Sequence, residues 1–89
     1  MKIMVTFRTR PENFKAGLAR FKEFKEKGMT PGKGVELLGR WHEMGTGGGF
    51  ALYEVTDPAA FTVFVMGWSD LVDQRAVPVV EDADIASRL

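Results

Sequence analysis

An α+β domain with the element order β-α-β-β-α-β is what this sequence predicts, and three observations predict it. Short segments alternate apolar and polar residues with the period of a strand, two longer segments carry apolar residues at helical spacing, and glycine, proline and aspartate fall at the joints. With 89 residues the chain makes a single domain, residues 1–89, and a body of this size buries only about 60 to 65% of the surface its unfolded chain exposes.

The first strand is read from Ile3, Val5 and Phe7, which alternate with Met4 and Thr6. Pro11 and Glu12 then open a helix, where a fixed φ and an acidic side chain both suit the first turn. Phe14, Leu18, Phe21 and Phe24 form its apolar stripe, Lys15, Lys22, Glu23 and Glu26 face away, and Gly28 ends it as a left-handed cap. A second strand is expected from Val35 to Met44 and a third from Phe50 to Val55, joined by GTGGG, whose glycines permit the positive φ of a tight hairpin. Asp57 caps a second helix with Pro58 at its first position, and Phe61, Phe64, Val65 and Trp68 repeat along it. The last strand runs from Gln74 to Val80, with Pro78 marking an edge or a bulge, and EDADIASRL adds a short terminal helix. This order describes a ferredoxin-like split βαβ: four antiparallel strands with two helices on one face.

If Thr46 and Gly47 form the hairpin tip, Trp41 opposes Leu52 and His42 opposes Ala51. One face then carries Leu37, Trp41, Phe50 and Leu52, and the other Leu38, His42, Tyr53 and Val55. Both faces are largely apolar, whereas a sheet wetted on one side alternates cleanly. Two helices shelter a single face, so the other is expected to pack against a second copy about a twofold axis.

Composition excludes several kinds of chemistry. Without cysteine there is no disulfide, thiolate metal centre or cysteine nucleophile, and a single histidine rules out a multi-histidine metal site within one chain. No metal and no cofactor are expected. Arg8 interrupts MKIMVTF before a secretory apolar core develops, and FTVFVMGW is too short to cross a bilayer, so a cytoplasmic protein without membrane partners is expected. Charge is divided: residues 1–40 carry ten Lys/Arg against four Asp/Glu, net +6, and residues 41–89 carry two against eight, net −6.

Neither glycine-rich stretch suits a nucleotide. GMTPGKG lacks the spacing and the hydroxyl of a phosphate loop, and GTGGG joins two strands, so no helix N-terminus is there to receive a phosphate. The RNA-recognition motif shares this element order, but in its third-strand signature only Gly49, Phe50 and Ala51 agree. Leu52 and Val55 stand where stacking aromatics belong, so no nucleic-acid partner is expected.

The segments LLGRWHEMGTGGGFALYEV and WSDLVDQRAVPVVEDADIA resemble a family of short bacterial proteins called domain of unknown function 3303, within the dimeric α/β-barrel superfamily. The most specific element is Trp-x-Asp-Leu-x-Asp followed by Pro-Val: Trp68, Asp70, Leu71, Asp73, Pro78 and Val79, with Gln74 in place of an aromatic residue. The resemblance implies the fold and a homodimer, and supplies no catalytic residues. Superfamily relatives include cofactor-independent monooxygenases, lactone isomerases, haem-degrading proteins and stress-response proteins, which place ligands between helices and sheet.

Three readings of function follow. The first is a dimer holding a small apolar or aromatic molecule in the helix–sheet cleft, lined by Trp41, Trp68, Tyr53 and His42. The second is a cofactor-independent monooxygenase or isomerase, with His42 as acid/base, Arg40 stabilising negative charge and Tyr53 orienting substrate. The third is a purely structural dimer, in which His42 is held within an interface and the tryptophans anchor packing. Asp70 and Asp73 are either a carboxylate pair or residues that fix a turn.

Overall fold

The computed structural model describes residues 1–89. The chain forms β1 (Lys2–Thr9), a 3-10 turn (Pro11–Asn13), α1 (Phe14–Glu26), β2 (Val35–His42), β3 (Gly48–Val55), α2 (Pro58–Met66), β4 (Val72–Val79) and α3 (Asp82–Ala86). The strands make one antiparallel sheet in the order β2-β3-β1-β4. This α+β arrangement, with α1 and α2 on the same side of the sheet, is consistent with a ferredoxin-like fold.

Each boundary has a local cause. Pro11 opens a 3-10 turn, so α1 itself begins only at Phe14. Gly28, at φ +61°, closes it with a Schellman pair: Met29 N–H to the Phe24 carbonyl at 3.0 Å and Gly28 N–H to Lys25 at 3.1 Å. The Asp57 carboxylate accepts the Ala60 N–H at 3.1 Å and caps α2. That helix stops at Met66, so Trp68 lies in the turn beyond it and is not its last member. Pro78 sits on the edge strand β4, paired with Ile3.

The β2–β3 hairpin corrects the expected register. Its loop holds four residues, Met44 to Gly47, because the Glu43 N–H closes on the Gly48 carbonyl at 2.9 Å. Trp41 therefore pairs with Phe50, and His42 with Gly49, each two residues from the expected partner. A shift of two preserves the face of every side chain. A bulge does not: β2 inserts Leu38 between the Leu37–Tyr53 and Gly39–Leu52 pairs, which moves Leu37 onto the helix-facing side.

The core lies between sheet and helices. Ile3, Val5, Val35, Ala51, Tyr53, Val55 and Phe61 are buried together there. The opposite face carries a band of Met4, Trp41, Phe50, Leu52 and Val77 across all four strands, in which Trp41, Phe50 and Val77 are exposed. Lys2, Glu36 and Glu54 border it at one end, and Arg8, Asp73 and Arg75 at the other. The Trp41 indole folds back over Gly39, where a Cβ would come within 2.6 Å of the ring.

Candidate functional site

α1 stands off the sheet, and Gly17 is its only buried residue. Its N-terminal half touches down at two glycines: a Cβ at Gly17 would lie 3.0 Å from Thr9 Cγ2, and one at Gly47 would lie 2.9 Å from the Phe14 ring. Between these contacts and α2 there remains a cavity of about 280 Å³. Val5, Ala51 and Tyr53 form its buried floor, Phe14, Leu18, Phe21 and Phe24 its α1 wall, and Phe64 and Trp68 its far side. Leu18 is 56% exposed although it belongs to the apolar stripe, because the space beneath the helix is open.

Arg40, His42 and Tyr53 come together on the cavity's sheet wall. The Arg40 Nη2 donates to the Tyr53 hydroxyl at 3.2 Å, and its guanidinium carbon lies 5.8 Å from the Phe21 ring centre. The His42 ring stands edge-on to Phe7 at 5.6 Å and to Phe21 at 5.3 Å. Phe7 and His42 meet across Gly49, the residue paired with both, and a side chain there would occupy the space between them. Trp68 also lines the cavity, 5.9 Å from Phe24 and 5.6 Å from the Arg20 guanidinium carbon.

Trp41 does not belong to this group. Adjacent residues of a strand point to opposite faces, so the backbone that turns Arg40 and His42 inward turns Trp41 outward onto the exposed apolar band. It cannot form one aromatic wall with Trp68. Phe14, Phe21, Phe24, Phe64 and Gln74 join the site unanticipated. The phenylalanines read in sequence as core stripes, and Gln74 stood out only as a polar residue in an aromatic's place; its amide donates to the Val65 carbonyl at 2.9 Å and ties β4 to α2.

The Trp-x-Asp-Leu-x-Asp segment acts as a strap at the end of the cavity. Asp70 receives a two-pronged contact from Arg20 at 2.7 and 2.8 Å, and Asp73 pairs with Arg10. Asn13 donates to the Asp70 and Leu71 carbonyls at 3.3 and 3.4 Å. The two aspartates thus serve separate arginines and brace the turn. The hydrogen bond from Arg20, offset by some desolvation and reinforced by its charge, holds the Asp70 carboxyl below its ordinary range. A lowered carboxylate pKa contributes stability above the unfolded value, and this is lost as pH falls through the folded value. Denaturant midpoints of the wild type and Asp70→Asn should therefore differ modestly at neutral pH and converge as acid carries the Asp70 carboxyl through its lowered folded value. A difference that persists in acid would show that the ion pair is not its source.

The fold and cavity define a small α+β protein with an aromatic chamber between its helices and an antiparallel sheet. No helix is long and apolar enough to cross a membrane. The chain belongs to the family described as Domain of unknown function (DUF3303), whose family model matches residues 1–89. No curated protein matches it significantly.

Proposed function

We propose that the protein is a homodimer in which each subunit binds a small, mainly apolar or aromatic molecule in the chamber between helices and sheet. The observation that carries this reading is the chamber itself: about 280 Å³, walled by aromatic rings, with Arg40, His42 and Tyr53 on one side. Ligand sites combine this apolar lining with a few placed polar groups, and the volume sits near the lower end of their usual range of roughly 300 to 1,000 Å³. The occupant is therefore small, of one or two rings.

The apolar band of Met4, Trp41, Phe50, Leu52 and Val77, in which Trp41, Phe50 and Val77 are exposed, supports the dimer. α1 and α2 occupy the other face, and a soluble monomer rarely presents such a contiguous apolar surface. Its charged borders carry both signs at each end, which suits contact with a second copy of the same surface. Two sheets packed in this way would make a dimeric α/β barrel, with both chambers on the outside of the sheets.

Thermal-shift and native mass spectrometry screens with small aromatic compounds test the ligand reading. A saturating ligand is expected to raise Tm by about 5 °C or more and to remain bound in the gas phase. If no compound is retained and no melting temperature moves, the chamber is a packing defect and the reading fails.

A further inference from the structure

We infer that the molecule held in the chamber is an aromatic carboxylate, its carboxylate received by Arg40 and Tyr53 and its ring by the phenylalanines beyond them. This rests on the ligand reading above and adds the charge of the occupant. Two hydrogen-bond donors carry the inference. Arg40 is half-buried and belongs to no ion pair, whereas Arg8, Arg10 and Arg20 each meet a carboxylate, and Arg75 and Arg88 lie exposed in water. One of its five N–H groups is spent on the Tyr53 hydroxyl.

Tyr53 supplies the second donor. It is only 4% exposed, and its sole hydrogen bond is one it accepts from Arg40. A guanidinium has no acceptor to offer in return, so the phenolic proton of a buried residue has no partner within the chain. Buried donors are seldom left unmade. The two donors share one wall of a chamber whose remaining surface is mostly apolar, so a planar acceptor with negative charge answers both while a neutral hydrocarbon answers neither. Glu43, the one carboxylate on the lining, is already engaged by Thr46 at 2.7 Å and by Arg8 at 3.5 Å.

Calorimetric titration with a naphthalene carboxylate and its neutral isostere, the carboxamide, tests this on the full chain. The wild type is expected to bind the carboxylate about tenfold or more tightly than the amide, the discrimination typical of a charge-assisted contact. Arg40→Met should bring the two within about threefold, Arg40→Lys should restore part of the difference, and Tyr53→Phe should weaken the carboxylate more than the amide. Equal binding by the wild type, or a preference for the amide, overturns the inference while leaving the ligand reading intact. So does discrimination that survives Arg40→Met in a protein with native circular dichroism. Binding of neither compound overturns the inference, and the screen of small aromatic compounds then decides the ligand reading. If Arg40→Met does not fold, the wild-type ratio decides alone.

Discussion

Gly49→Ala is expected to destabilise the protein by about 3 kcal/mol or more, a large share of the 5 to 15 kcal/mol typical of a domain. Gly49 lies in the middle of three paired strands, opposite Phe7 on one side and His42 on the other. An added Cβ would collide with the Trp41 carbonyl oxygen and fall 2.7 Å from Phe7 Cζ. The ring could turn aside, but the carbonyl belongs to the β2 backbone, so relief requires the hairpin to part. Gly45→Ala provides the comparison: at φ +82° it has open space around its Cβ, so only the left-handed backbone opposes the methyl group, at about 1 to 2 kcal/mol. Urea unfolding of both variants reads the difference. Equal midpoints would mean that crowding beneath Phe7 and His42 is not what glycine relieves.

The double substitution Trp41→Lys with Phe50→Glu is expected to convert the proposed dimer into folded 9.9 kDa monomers. Trp41 and Phe50 are directly paired and both are exposed in the single subunit, so the new charges can attract one another across the strands without disturbing the core. In the dimer the same charges would be stripped of water. Losing two aromatic side chains from each of two facing surfaces should raise the dissociation constant about a hundredfold or more. The Trp41 ring already rests on Gly39, so little side-chain freedom is lost when a partner covers it, which makes its removal costly. Sedimentation equilibrium at low micromolar concentration gives the outcome. A wild type that sediments as a monomer, or a variant that remains a dimer, would remove the sheet-face assembly.

The element order was legible because each segment's signals agree: alternation in the strands, capping at Asp57, and a positive φ at Gly28. The grouping of Arg40, His42 and Tyr53 was also legible, and for a robust reason, since a hairpin misjudged by two residues still keeps every side chain on its side. The chamber was not. Phe21 and Phe24 have the same spacing whether a helix presses on a sheet or stands away from it, and periodicity carries no information about that distance. The pairing of Asp70 with Arg20 joins residues fifty positions apart, and only the folded chain brings them within reach.

Leu38 gives the second strand two phases. Before it, odd-numbered Val35 and Leu37 serve the hydrophobic interior; after it, even-numbered Arg40 and His42 look the same way. An uninterrupted strand would have to choose, sending either the scaffold residues or the polar pair to the far side. One inserted residue lets a single segment supply foundation and chemistry in succession. The polar pair consequently stands on the same floor as the buried residues, with Arg40 beside Ala51 and His42 beside Gly49, so the chamber's chemistry is anchored directly to the interior.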